Sequence, residues 1–149
     1  MKLFKAFIAA ALLLAVGWPA SAQTAENVRA RYTKYEYMIP MRDGVRLFTA
    51  VYAPKDTSQP YPFLLTRTPY SVAPYGVDHY RAALGPSLEF EKEGFIFVYQ
   101  DARGRHMSEG EFQQARPYRP DKRGPKDIDE STDTYDTIEW LLKNVPNHN

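Results

Sequence analysis

The sequence predicts an α/β fold in which an N-terminal β-hairpin leads into a mostly parallel sheet with flanking helices. Three observations support this prediction. First, Asp43-Gly44 lies between two apolar runs, which is typical of a hairpin because glycine supplies the positive φ that the turn needs. Second, the apolar runs 63–67 and 95–99 are separated by a segment of helical composition. Third, an amphipathic stretch follows and predicts a long helix.

The first three strands are predicted from short apolar runs. Residues 35–39 and 46–52 alternate partly between apolar and polar side chains, so they are expected to form the two arms of the hairpin. A polar turn covers residues 54–60. The run 63–67 is apolar on both faces, which predicts a third strand in a central position of the sheet.

The next segment is predicted to contain helices, a strand and a long loop. Residues 78–93 have a helical composition that Gly85-Pro86 interrupts, so two short helices are expected, the second starting at Pro86 and stopping at Gly94. The continuous apolar run 95–99 predicts a buried strand, and the order strand, helix, strand implies that it pairs in parallel with the third. Residues 102–125 are expected to form a surface loop with a functional role, because they are too many for a simple connection.

The last element is predicted to be an amphipathic helix. Four acids at positions 127, 129, 130 and 133 suit a helix N-terminus, where negative charge is favoured. Val145-Pro146 prevents the helix from continuing. Trp140 lies off the apolar face and is expected to pack against another element. The face predicted to meet the core consists of Tyr135, Ile138, Leu141, Leu142 and Val145.

The N-terminus has the pattern of a secretory signal peptide. Lys2 and Lys5 precede an apolar run over residues 6–16, and Ala20-Ser21-Ala22 forms a cleavage site, so residues 1–22 are expected to be removed before Gln23. The alternative is an uncleaved membrane anchor, but the apolar run is shorter than the roughly 20 residues that span a bilayer. The sequence therefore predicts export to the periplasm or the medium, without stable membrane insertion after cleavage.

The mature chain is divided into two parts. Residues 23–34 are polar and aperiodic, which predicts a flexible lead-in. Residues 35–149 are predicted to be part of one α/β domain, and no strand follows the last predicted helix. We therefore expect this sequence to be the N-terminal fragment of a larger protein.

Composition excludes several functional classes. The 149 residues contain no cysteine, so disulfide scaffolds, thiol nucleophiles and thiolate metal sites are excluded. The formal net charge of +1 provides no basic surface for nucleic acid. His79, His106 and His148 lack metal-ligand spacing, and no metal or organic cofactor is predicted.

The sequence shows no hydrolytic nucleophile. A Gly-x-Ser-x-Gly elbow would place a reactive serine on a strand-to-helix turn. None of the candidate serines is flanked in this way: Ser58, Ser71, Ser87, Ser108 and Ser131.

Two segments lie where the third and fourth strands end, and in open α/β sheets this edge binds ligands. The first ends in Tyr70, which follows a proline that fixes the backbone. One tyrosine among 11 is usually a packing or surface residue when taken alone. The second holds Asp101 and Arg103, two residues apart, which are expected to form a structural ion pair that pins the loop near the site rather than to act in catalysis.

Four segments together resemble a known family. They are residues 38–47, 67–70, 100–104 with 108–112, and 133–141. In this order and spacing they resemble the cocaine esterase and X-Pro dipeptidyl-peptidase family. Within it they are most similar to the α-amino acid ester hydrolases and the glutaryl-7-aminocephalosporanic acid acylase-like members. The resemblance runs from about residue 35 to residue 149.

The resemblance implies an α/β-hydrolase fold and a serine hydrolase activity. It implies cleavage of an ester or amide in a small substrate or short peptide through a Ser-Asp-His triad, whose members would lie beyond residue 149. Tyr70 matches the family's oxyanion-hole tyrosine. Members with cocaine-esterase activity often have aspartate at the next position, where this sequence has Ser71, so the substrate class stays open. The alternative is a non-catalytic secreted α/β binding module or an inactive truncated product.

Overall fold

The computed structural model describes residues 20–149 and shows one four-stranded sheet with helices on its two faces. The predicted signal peptide lies largely outside the described residues. The elements in chain order are α1 (Ala20–Arg31), β1 (Tyr32–Pro40), β2 (Arg46–Pro54), β3 (Phe63–Thr68), α2 (Leu88–Glu93), β4 (Ile96–Asp101) and α3 (Glu130–Asn144).

The sheet is mixed, with the strand order β1-β2-β4-β3. β1 and β2 form the predicted antiparallel hairpin, and Met41 N donates to Val45 O across its turn. β4 pairs antiparallel with β2 and parallel with β3. The hairpin and the parallel β3–β4 pair confirm the prediction, whereas a mostly parallel sheet is wrong for the described strands.

β3 lies at one end of this order, although it was predicted to be central. All its residues but one are half-buried, whereas every residue of β4 is buried, because β4 has a strand on each side. Just before β3, Tyr61 forms an isolated parallel bridge with His148. The backbone at residues 147–149 therefore lies beside the free edge of the strand.

Alternate residues of the strands build a core on each face of the sheet. Phe97 and Tyr99 of β4 point to the face covered by α1 and the segment after β3, where Val28 and Leu84 are buried. Ile96 and Val98 point to the other face, where α3 contributes its buried residues. This alternation follows from the two-residue period of a strand.

The segment 23–34 differs from the expected flexible lead-in. It forms the greater part of α1 and the first residues of β1. Val28 and Tyr32 are both 1% exposed, and the Tyr32 hydroxyl donates to Glu91 O over 2.8 Å. The polar, aperiodic sequence of this segment gave no indication of these long-range contacts.

Only one of the two helices predicted within residues 78–93 is present. Residues 78–87 form bends and turns, and α2 begins at Leu88 rather than at Pro86. Gly94 ends the helix as predicted, with a left-handed φ of 87° that glycine adopts readily.

α3 begins and ends close to the predicted positions, but its buried face was predicted only in part. Leu141 and Val145 are buried, and Trp140 packs on Tyr37 of β1 with ring centroids 4.8 Å apart, as expected for a side chain off the stripe. The other three members of the predicted apolar face are exposed. They are Tyr135, Ile138 and Leu142.

The face of α3 that meets the sheet is instead largely polar. Thr132, Asp133 and Thr137 are buried there. Gln100 of the sheet donates to Thr137, Arg103 of the loop after β4 donates to Asp133, and Thr132 exchanges hydrogen bonds with the N-cap residue Asp129. Within residues 20–149, no helix is long and apolar enough to cross a membrane.

Candidate active site

Asp101, the last residue of β4, ties together the loops that follow β3 and β4. Its side chain is fully buried. Oδ1 accepts from Val72 N at 3.0 Å, and Oδ2 accepts from the Tyr75 hydroxyl at 3.0 Å and from Met107 N at 3.3 Å. The two loops at the carboxyl ends of the parallel strands are therefore fixed by one carboxylate.

Tyr70 lies at this edge of the sheet on the loop after β3. Its backbone N–H donates to Thr68 Oγ1 over 3.1 Å, and His106 Nε2 lies 3.0 Å from the carbonyl oxygen of Pro69. The side chain is 85% exposed. The backbone at Tyr70 is thus held in place, while among the described residues the ring faces solvent rather than an enclosed pocket.

A buried lysine holds the far end of the same loop. The Lys34 side chain is fully buried, and its Nζ donates to the carbonyl oxygens of Pro74, Gly76 and His79 at 2.7 to 2.9 Å. Glu36 balances the charge, with Oε1 2.8 Å from Nζ. We call residues 69–80 the tyrosine loop, which Asp101 fastens near its start and Lys34 near its end.

Arg103 does not pair with Asp101, contrary to the predicted ion pair. Its guanidinium instead bridges Asp43 in the hairpin turn, at 2.8 and 3.2 Å, and Asp133 in the first turn of α3, at 2.6 and 2.9 Å. Burial disfavours the charged guanidinium, but the hydrogen bonds to Asp133 and Asp43 outweigh it and raise the pKa of Arg103. Arg103 is therefore structural, and it joins the hairpin to α3.

Arg67 near the end of β3 also reaches α3. Its Nε donates to Gln100 Oε1 over 2.7 Å, and Nη1 donates to Glu130 O and Thr134 Oγ1 at 3.1 and 3.0 Å. Burial lowers the pKa of Arg67. Arg67 belongs to the segment 67–70 that carries part of the family resemblance. Its contacts, however, serve to fix the start of α3.

Asp129 caps α3 and anchors the long loop before it. Oδ1 accepts from Thr132 N at 2.8 Å, and Oδ2 accepts from Arg119 N and lies 2.7 Å from Lys122 Nζ. Burial would raise the pKa of Asp129, but the hydrogen bonds from Lys122, Arg119 and the helix end outweigh it and hold the pKa well below its usual range. The interpretation of the acids as helix N-terminal charge is correct for this residue.

Asp43 and Asp133 are the partners that sequence reasoning missed. Asp43 was interpreted only as a turn residue and Asp133 only as charge at a helix start. They lie 60 and 30 residues from Arg103 along the chain, so no local pattern connects them. The presence of Arg103 near the predicted strand edge was the only signal in the sequence that could have suggested these carboxylate partners. Within residues 20–149, no group of three or more His, Asp or Glu side chains is arranged to hold a metal ion.

Replacing Gly104 with alanine is expected to destabilise the loop after β4. The loss should exceed the roughly 1–2 kcal/mol that a left-handed backbone conformation costs an alanine. Gly104 has a φ of 68°, and a Cβ there would lie 2.1 Å from the backbone nitrogen of Phe112. Gly44→Ala is the matched control, since Gly44 has a φ of 88° and nothing within 4 Å of its Cβ position. Urea unfolding of the complete protein measures both. Equal losses would contradict the predicted backbone clash.

Comparisons with known proteins place this arrangement among hydrolases. The chain is 39% identical to a cocaine esterase of Rhodococcus sp. (strain MB1 Bresler) over 106 residues, which are 71% of this chain and 16% of that protein. It superimposes on a crystal structure of an aminopeptidase from a marine sediment Thaumarchaeota archaeon with a TM-score of 0.64 and 40% identity, covering 80% of this chain and 20% of that one.

An α-amino acid ester hydrolase gives a similar match, with a TM-score of 0.64 and 33% identity over 95% of this chain and 23% of the other. These matches confirm the predicted class, the α/β fold of ester and peptide hydrolases. The matching family model is that of the X-Pro dipeptidyl-peptidases (S15 family), over residues 43–149. The chain belongs to this family, and it spans about a quarter or less of the length of each relative.

Proposed function

We propose that this chain is the N-terminal part of an exported serine hydrolase that cleaves small ester or amide bonds, in acyl or X-Pro dipeptidyl substrates. Membership of the S15 family and the likeness to an esterase and an aminopeptidase support this proposal. The Ser-Asp-His triad would lie beyond residue 149. No metal or organic cofactor takes part in the proposed mechanism.

The position of Tyr70 is the observation that carries the proposal. Tyr70 follows the carboxyl end of β3 on a loop that Asp101 and Lys34 fasten, and its hydroxyl is free to meet a substrate. As a serine attacks the scissile carbonyl, negative charge develops on the carbonyl oxygen. A phenol is protonated at neutral pH and can donate a hydrogen bond to that oxygen beside a backbone N–H.

The backbone that lies beside the free edge of β3 supports the proposal that the nucleophile is near Tyr70. Tyr61 N donates to Asn147 O over 2.9 Å, and Asn149 N donates to Tyr61 O over 3.3 Å. This backbone direction is parallel to that of β3. A strand continuing from here would bring its carboxyl end to the same edge as Tyr70, where a serine on the following turn could reach the same carbonyl.

Labelling of the complete protein with a fluorophosphonate tests this proposal. We expect a single labelled serine beyond residue 149, within a Gly-x-Ser-x-Gly sequence, because the reagent modifies activated serines. Mass spectrometry of the labelled product from the periplasm or medium should give Gln23 as its first residue. An intact protein that resists the reagent would favour the non-catalytic binding module, and a retained leader would contradict export with cleavage.

A further inference from the structure

Two hydroxyl groups next to Tyr70 form a continuous path to the buried carboxylate of Asp101. Ser71 Oγ lies 2.9 Å from the Tyr75 hydroxyl, and the Tyr75 hydroxyl lies 3.0 Å from Asp101 Oδ2. Ala73 N donates to Ser71 Oγ over 3.2 Å. We call Ser71, Tyr75 and Asp101 the hydroxyl chain. Its two hydroxyl groups belong to the tyrosine loop, and it begins at the residue that follows Tyr70 and ends on β4.

The direction of each hydrogen bond in the hydroxyl chain is fixed. Tyr75 donates to the carboxylate of Asp101, so its single proton is used and its oxygen can only accept from Ser71. Ser71 Oγ therefore donates to Tyr75 while it accepts from Ala73 N. Burial raises the pKa of Tyr75 and so favours the protonated phenol that this pattern needs.

The backbone of Ser71 is strained, and the hydroxyl chain holds it. Ser71 has a φ of 79°, a left-handed conformation that costs a residue other than glycine of the order of 1–2 kcal/mol. This angle sets the orientation of the peptide group that joins Tyr70 to Ser71. Strain of this kind persists where the surrounding contacts determine the backbone, and it concentrates at functional sites.

We infer that the hydroxyl chain of Ser71, Tyr75 and Asp101 positions Tyr70 so that its hydroxyl meets the substrate's oxyanion. The inference rests on the proposed function and deepens it, since it assigns positioning roles to residues that do not touch the substrate. Tyr75 is the most informative member, because its ring also packs edge-on against Phe48, with centroids 5.2 Å apart, and would stay in place without the hydroxyl.

Tyr75→Phe in the complete enzyme is the test. Loss of the Tyr75 hydroxyl, with its hydrogen bonds to Ser71 and Asp101, is expected to lower kcat about 3- to 10-fold on an ester substrate. KM should change less than twofold, because substrate binding does not use Tyr75. In a Tyr70→Phe background the same change should lower kcat by less than twofold, because the group that Tyr75 positions is already absent.

Tyr32→Phe is the matched control. It removes a buried tyrosine hydrogen bond of similar length, that of the Tyr32 hydroxyl with Glu91 O at 2.8 Å, away from the tyrosine loop. It should lower the melting temperature by no more than Tyr75→Phe does, because it removes one hydrogen bond to a neutral carbonyl, while kcat stays at the wild-type value.

Three results would overturn the inference. Unchanged kcat in Tyr75→Phe, when Tyr70→Phe is impaired, shows that the hydroxyl chain does not position Tyr70. Equal losses from Tyr75→Phe in both backgrounds show that Tyr75 acts by another route. Full activity of Tyr70→Phe overturns the oxyanion role in the proposed function itself, and the positioning role with it.

Discussion

Replacing Tyr70 with phenylalanine in the complete enzyme is expected to lower kcat by about two to three orders of magnitude. Removing one oxyanion-hole donor typically costs about 2.7–4 kcal/mol of transition-state stabilisation. Folding should not change, because the side chain is 85% exposed and the backbone contacts of the residue do not involve the hydroxyl. Steady-state kinetics on a small ester and circular dichroism of both proteins measure the two effects.

Tyr35→Phe is the control for this prediction. Tyr35 is also exposed, but it lies on β1 and stacks on Tyr37, with ring centroids 6.2 Å apart. Its variant should turn over substrate at the wild-type rate. A Tyr70→Phe enzyme as active as this control would remove Tyr70 from the mechanism.

Replacing Arg103 with methionine is expected to destabilise the fold by about 3–5 kcal/mol, the usual cost of removing one partner from a buried ion pair. The guanidinium is the shared partner of Asp43 and Asp133, whose side chains are 13% and 4% exposed. Methionine would leave both carboxylates without their cation and would separate the hairpin turn from α3. Urea unfolding of the complete protein, followed by circular dichroism, measures the loss.

Two further variants distinguish the contributions of burial and of guanidinium geometry to stability from the contribution of charge alone. Arg46→Met removes a cation that pairs with Glu109 at the surface, where both side chains are largely exposed, so it should cost at most about 1 kcal/mol. Arg103→Lys keeps the charge but not the planar guanidinium that binds two carboxylates. Its loss of stability should therefore lie between the losses of Arg46→Met and Arg103→Met. Similar losses for Arg103→Met and Arg46→Met would contradict the structural role of the buried network.

The elements that the sequence predicted well are those specified by local chemistry. Asp43-Gly44 determines the hairpin turn, the run 95–99 has the short, continuous apolar pattern of a buried strand, and Val145-Pro146 stops α3. The elements that were wrong depend on distant partners. α1 is polar and only weakly amphipathic, and it is placed by the burial of Val28 and Tyr32.

The same distinction applies to α3 and to the candidate site. The periodicity of apolar residues predicted a core face that included Ile138, but hydrogen bonds to Gln100 and Arg103 turn Thr137 and Asp133 inward instead. Positions at strand ends could be predicted from the order of the elements, which located the edge where the candidate site lies. The hydrogen-bond partners of each side chain could not be predicted from the sequence, because they depend on contacts between distant segments.

The burial of Lys34 limits how the tyrosine loop can be redesigned. One ammonium group satisfies three main-chain oxygens between Pro74 and His79, so the spacing of those oxygens leaves no room for inserted or deleted residues. Libraries that vary the tyrosine loop should therefore diversify its side chains and keep residues 74–79 at their natural length.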